Sequence, residues 1–333
     1  NKLMENADLR KDVFTGDNYN LIYGEALALR AMLHFDLLRL FGPVYKTNPE
    51  GLSICYNKKF SYQGSNILPA SEVIDNILDD LKKAEELLVN DPVITEGPRN
   101  TTASDGNNDL RLRTYRLNYY AVQALMARVA LYCGEKDVAW EYADKMIRGI
   151  REEHEWFPFA TREEIVTTNR EDRIFQSEIL FGLYNLKRKE SVYEVGFGSG
   201  LKQGSVLRID KDIMRDMYEG DDNDYRLSYW FAEMVDPDNN SYLHVIKYKE
   251  VDDVDPVTKI SKGYSYIMPI LRVSEVYLIA AECCPDPKEG RNYLNAVRTA
   301  RNVKNIQDDA DLTTCVEQEY KREFVGEGQL FWL

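Results

Sequence analysis

Histidine is scarce in this chain: three residues in 333, at His34, His154 and His244. A histidine-based catalytic triad or a zinc centre therefore has little material. Cysteine is also sparse. Cys55, Cys133, Cys283, Cys284 and Cys315 are too few and too irregular for a disulfide framework. Cys283 and Cys284 are adjacent, with no second pair to complete a metal knuckle. Cys133 and Cys315 sit in helical patterns and read as small buried apolar residues. There is no run of five basic residues, and Asp plus Glu outnumber Lys plus Arg by 56 to 42. That balance argues against nucleic acid and against anionic membrane surfaces as partners. No stretch reaches the roughly 20 apolar residues of a spanning helix. The first residues lack a basic region leading into an apolar one, and the last four, Leu330 to Leu333, are mostly apolar, so both ends read as cut from a longer protein.

What is present is helical periodicity in three blocks. From about Tyr19 to Phe41, Ile22, Ala26, Leu29, Leu33, Leu37 and Leu40 recur at three- and four-residue spacing. They are expected to form the core-facing stripe, and Gly42-Pro43 ends the helix. A second helix is expected to start on a Ser71 cap and to bury Ile74, Ile77, Leu78, Leu81 and Leu88, stopping at Asn90-Asp91-Pro92. Residues 95–109 read as an exposed loop. From Leu117 to Cys133, Ala121, Ala124, Ala127 and Ala130 form a small-residue stripe. A short turn follows, and Val138 to Ile150 returns with Ala139 and Ala143. Small residues on facing helices permit close approach, which is the arithmetic of a tetratricopeptide-like hairpin. The pattern recurs from Ile270 to Cys283 and from Glu289 to Val303. A last helix starts near Thr313 or Thr314 and is expected to run to the end. Residues of about 155–268 behave differently. Ile174-Phe175, Glu178 to Tyr184 and Tyr242 to Tyr248 are short β-like runs among Gly- and Asp-rich loops.

Six segments in order resemble one family. Gly24-Glu25-Ala26 through Leu29-Arg30-Ala31-Met32-Leu33-His34-Phe35 to Phe41-Gly42-Pro43 is similar to the N-terminal signature of SusD/RagB proteins. Leu117 to Asp144 resembles their helical hairpin, and Ser177 to Leu183 a characteristic strand. Leu271-Arg272-Val273-Ser274-Glu275 to Glu282, Leu294 to Arg301, and Arg322-Glu323 to Gln329 are similar to three C-terminal helices. The resemblance implies an outer-membrane, cell-surface lipoprotein. Such a protein lies over a SusC-like TonB-dependent transporter and delivers oligosaccharide to it. Membrane association would then run only through a lipid anchor, and no lipobox cysteine is present near residue 1.

The expected fold is mainly α: a tetratricopeptide-like superhelix of helical hairpins with an irregular loop and short-strand module in mid-chain. One SusD-like domain over 1–333 would comprise an N-terminal helical part (1–150), the module (151–268) and a completing helical part (269–333). No catalytic constellation is legible, so the chain reads as a non-enzyme without cofactor or metal. The G-x-S-x-G elbow is absent. Gly196 to Gly204 lacks the Lys-Ser/Thr pair of a phosphate loop. Asp236 to Asn240 begins like a calcium loop but has Ser241 and Lys247 in place of its Gly and Glu. Acidic pairs at glycosidase spacing are unavoidable among 56 carboxylates, and most decorate helix faces. Aromatic loop residues are more telling, because sugar sites pair ring platforms with a few polar groups. The candidate ligand-binding residues are Tyr56, Tyr62, Trp156, Phe157, Tyr193 and Phe197; Phe60, Phe159, Tyr229 and Trp230 are further loop aromatics. Capture of peptide or glycopeptide is one alternative, and a helical-repeat scaffold that binds only protein is another.

Overall fold

The structure is a computed structural model that describes residues 1–99, 110–152, 154–198, 201, 209–235, 239, 241–252, 254, 263 and 265–330. The chain divides into two compact units, 1–156 and 157–333.

In the first unit, helices α1 (Lys2–Leu9), α2 (Asn18–Phe41), α3 (Ala70–Leu87), α4 (Pro92–Glu96), α5 (Tyr119–Cys133) and α6 (Lys136–Arg151) follow in order. α2 pairs with α3, α5 with α6, and α3 also meets α5. Gly24 shows how closely the first pair packs: a Cβ there would stand 2.9 Å from Leu88 Cγ and 3.3 Å from the Ala84 carbonyl. The alanines of α5 and α6 are buried as expected. α5 is buried along its length from Tyr120 to Ala130, capped by the Asn118 side chain and ended at Gly134.

α2 spans the expected residues but presents the opposite face to the core. Leu21, Gly24, Leu27, Ala28, Ala31, Met32, Phe35 and Leu38 are buried, whereas Ile22, Leu29, Leu33, Leu37 and Leu40 are exposed. The helix is apolar on nearly every side, so periodicity alone does not choose a face. Its buried side carries the small residues that permit close approach. Ser71 does not cap α3, which begins after Pro69. The Ala70 and Ser71 amides donate instead to the Gly51 and Pro49 carbonyls. Backbone acceptors thus satisfy the first orphan donors of the helix. Thr95 and Glu96 close α4, and 100–109 lie outside the described residues.

The second unit contains α7 (Arg162–Val166), β1 (Ile179–Tyr184), α8 (Lys211–Met217), α9 (Tyr225–Trp230), β2 (Phe231–Val235), β3 (Ser241–Val245), β4 (Ile267–Arg272), α10 (Val273–Cys283), α11 (Pro287–Ala300) and α12 (Leu312–Glu323). β1 pairs antiparallel with β4, from Ile179 opposite Arg272 to Tyr184 opposite Ile267, and β2 pairs antiparallel with β3. Ile270 to Arg272, expected as helix, complete β4 before α10 begins. Ile174-Phe175 is not a strand: Phe175 turns through φ 53°. The Asp172 carboxylate accepts the Ile174 and Gln176 amides on either side. α12 stops at Glu323, and a turn through Gly326 brings Glu327 back against Arg272. All five cysteines are free; Cys283 is buried, and Cys133 and Cys315 are half-buried rather than buried.

Candidate functional site

The charged residues of the signature segments converge in buried ion networks. In the second unit Arg301 has no exposed surface. Its Nη1 and Nη2 donate to Glu178 at 2.7 and 2.6 Å, and its Nε donates to Glu323 at 3.0 Å. Arg272 donates to the same Glu323 and, at 2.7 Å, to Glu327. Arg226 bridges Asp224 and Glu323, while Arg298 and Arg322 share Glu319 and Glu219. Lys247 reaches Glu327 at 2.6 Å and lies 3.4 Å from the Trp230 ring centroid. Six cations thus face six carboxylates. Burial alone would raise the Glu323 carboxyl, but Arg301, Arg272 and Arg226 outweigh it and hold it well below the usual carboxylate range. Burial pushes the Lys247 ammonium down to about 8, against the pull of Glu327.

The first unit repeats the device on a smaller scale. Arg113 grips Asp91 at 2.9 and 2.7 Å and touches Glu25 at 2.7 Å. Arg30 forms a fork with Asp80 at 2.6 Å on both arms. The Tyr56 hydroxyl donates to that same carboxylate. These are framework contacts. The arginines and carboxylates named in these networks tie elements together.

Rings open to solvent sit elsewhere. The segment from Leu52 to Pro69 joins α2 to α3. Tyr62 at its outer part is 97% exposed, and its ring meets Phe60 edge-on at 5.3 Å between centroids. Lys2 Nζ stands 5.3 Å from the Phe60 centroid. The backbone of this loop is held by side chains: Phe60 N donates to Glu5, Arg30 Nη1 to the Lys58 carbonyl, and Asn1 Nδ2 to the Asn57 carbonyl. Tyr56, expected to bind ligand with Tyr62, is only 8% exposed and packs at a tilt against His34, 4.2 Å between ring centroids. It anchors the loop rather than offering a face.

Phe157 is also corrected by its surroundings, while Trp156 is half-buried. The Trp156 indole N–H donates to the Ile94 carbonyl, and its ring stacks on His154 at 4.8 Å. Gly97, with φ +69°, lies so close that a Cβ there would come within 2.6 Å of the indole. Phe157 is 1% exposed. Tyr193 and Phe197 lie on a π-helical segment, Lys189–Phe197, where a loop was expected. Both are half-buried, and Phe197 packs on the core formed by Phe175, Trp230, Phe231 and Val245. Trp230 is fully buried, Tyr229 packs partly against the same core, and Phe159 meets Tyr277 edge-on at 5.1 Å. Within the first unit the structure brings together Phe60, Tyr62 and their anchor Tyr56. In the second it places Tyr193, half-buried, near Arg173, whose buried Nε and Nη1 have no hydrogen-bond partner among the described residues.

Sequence reasoning missed these ion networks because partners as far apart as Glu178 and Arg301 share no local spacing. His244 is buried beside the Ala232 carbonyl. Among the described residues no group of three or more His, Cys, Asp and Glu is arranged to hold a metal, and no helix is long and apolar enough to cross a membrane. Of the acidic run 236–240 only Asn239 is described, so its calcium-like start lies outside the described residues, as do Trp332 and most of the glycine-rich stretch after Gly198.

Paired helices and a loop-rich module with short strands are the architecture of tetratricopeptide-like SusD-fold proteins. Solved structures of that superfamily match along the whole chain. One from Bacteroides thetaiotaomicron is 22% identical and covers 100% of this chain and 71% of its own, at a TM-score of 0.73. One from Bacteroides vulgatus is 23% identical, covers 98% and 70%, and gives 0.74. A third, a putative sugar binding protein from Bacteroides vulgatus, is 26% identical, covers 98% and 68%, and gives 0.70. The chain belongs to the SusD family, whose model matches residues 97–332. A second family model, described as starch-binding associating with outer membrane, matches residues 1–103. No curated protein matches the chain.

Proposed function

We propose that this protein binds glycan at the outer-membrane surface without turning it over, and passes it to a SusC-like TonB-dependent transporter. A lipid anchor, not a spanning helix, would hold it there. The observation that carries the reading is the Phe60–Tyr62 pair: two rings exposed at the outer part of a loop whose backbone is fixed from below by Glu5, Arg30 and Asn1. A pyranose presents apolar C–H faces edged by hydroxyls. A preformed ring platform with Lys58, Lys59, Ser61 and Gln63 beside it suits that chemistry. Tyr193, half-buried on its π-helical segment, is the second position we assign to ligand. The similarity to a putative sugar binding protein and to a starch-binding family model supports the same reading. Ligand would dock on an open surface rather than in a closed cleft, so affinity should be modest. Calorimetry against starch, xyloglucan, pectin and arabinoxylan, with reducing ends assayed in parallel, tests this. Heat with at least one polysaccharide and no release of reducing ends is expected. Silence across the panel, or steady hydrolysis, overturns it.

A further inference from the structure

His34 sits on α2 where the ring-bearing loop passes over it. Its Nδ1 lies 2.8 Å from the Arg30 carbonyl, and its Nε2 lies 3.2 Å from the Asn57 amide nitrogen. An amide can only donate, so Nε2 is an acceptor and the ring proton resides on Nδ1. The imidazole is thus used at both ends in its neutral form, with one end on α2 and the other on the first residue of the segment that carries Phe60 and Tyr62.

A second proton would replace the Nε2 lone pair with an N–H pointing at another N–H. The surroundings offer it no compensation. Asp80, the carboxylate beside the site, is engaged by the Arg30 fork and by the Tyr56 hydroxyl. The Arg30 guanidinium disfavours a further positive charge. Lys58 Nζ stands 5.9 Å from the centroid of the Tyr56 ring, which itself lies against the imidazole. Burial is the largest influence and pushes His34 below its ordinary 6.5; Arg30 adds to it, against the Arg30 carbonyl and Asp80.

We infer that His34 is a positioning residue: in its neutral form alone it latches residues 57–62 to α2, and so sets the pose of the Phe60–Tyr62 rings. The consequence for ligand rests on the glycan reading above, whereas the latch itself does not. Histidine is the side chain whose ordinary titration falls between pH 5 and 8, so the latch makes loop order, and with it ring presentation, sensitive to mild acid. The sign follows from the shift. The released state takes up a proton more readily than the latched state, so the latch weakens as pH falls below about 6.5.

Amide exchange of the 57–62 peptide, corrected for intrinsic rates and followed from about pH 7.5 to about pH 5, tests the latch without any ligand. In the unaltered protein, protection should fall by roughly two- to tenfold over that range, the worth of one hydrogen bond. His34→Gln offers an acceptor that does not titrate, and should give a pH-independent profile at an unchanged melting temperature. His34→Ala should lack, at every pH, the protection that this hydrogen bond supplies. If His34→Ala fails to fold, the unaltered protein and His34→Gln decide between them. Protection that ignores pH in the unaltered protein, or an equal pH response in His34→Gln, overturns the latch. Calorimetry at the same pH values, with whichever of the four polysaccharides gives most heat, separates the two readings. Affinity that falls in step with protection supports both. Protection that responds while affinity does not supports the latch and contradicts the placement of ligand on this loop.

Discussion

Arg301 and Glu323 carry much of the second unit between them. Each is fully buried, and each meets more than one opposite charge. Desolvating such groups costs several kcal/mol apiece, which the network offsets only while every partner is in place. Glu323→Gln should therefore destabilise the protein by about 3–5 kcal/mol in denaturant unfolding, because Arg226, Arg272 and Arg301 would lose a shared anion. Arg301→Lys keeps the charge but not the two-pronged fork, and should also be strongly destabilising. Glu319 and Glu323 are held below the ordinary 4.5 by their arginines, against burial. The stability they contribute is present above that value and is lost as pH falls through their folded values.

Asp172 runs the other way. Burial raises it to about 7, with Glu164 and Glu178 adding to the shift and the Gln176 and Ile174 amides opposing it. The folded state then holds a proton that the unfolded chain releases near 3.8. This residue's contribution to stability should fall as pH rises from about 4 to 7. Asp172→Asn should flatten that slope, as read by melting temperature against pH. None of this is visible in a one-dimensional pattern. A buried arginine and a solvated one look alike in sequence, and one partner of Arg301, Glu178, comes from a segment more than a hundred residues away.

At the scale of elements, helices were legible and faces were not. The span of α2 agrees with its periodic pattern, but both its sides are apolar. The outward stripe of Leu29, Leu33 and Leu37 was read as the inward one. Phe35 has no exposed surface, whereas Leu33 is 51% exposed. Phe35→Ala should cost about 3–5 kcal/mol. Leu33→Ala should stay within about 0.5 kcal/mol, and a chemical-denaturation pair would show the contrast. The start of α3 was misplaced for a related reason. Ser71 is a good cap in isolation, but the neighbouring chain at Pro49–Gly51 supplies the acceptors first. The join between β4 and α10 was hidden because Ile270, Leu271 and Val273 suit a strand or a buried helix equally. The alanine-lined hairpin of α5 and α6 was readable, since its small residues and the short turn between its helices indicate the same structure.

Across the whole molecule, the signature segments and the binding surface separate. Arg30, Arg272, Arg298, Arg301, Arg322 and Glu323 drew attention in the sequence because they recur in a recognisable order, and the structure uses them as internal ties. The rings assigned to ligand lie between those segments, where the sequence is loop-like and periodicity is silent. That is why the family could be read from motifs while only part of the ring list survived burial. Tyr62 remains open, Tyr193 half-open, and Tyr56 and Phe157 are enclosed. Their enclosure depends on long-range packing that residue type does not encode.

The division between internal ties and exposed rings is tested most directly by calorimetry on the Phe60→Ala/Tyr62→Ala double variant, with melting temperature measured on the same sample. Glycan affinity should fall by roughly tenfold or more, in keeping with the loss of aromatic stacking on two rings, while the melting temperature stays where it was. Undiminished affinity in a well-folded double variant would contradict the account.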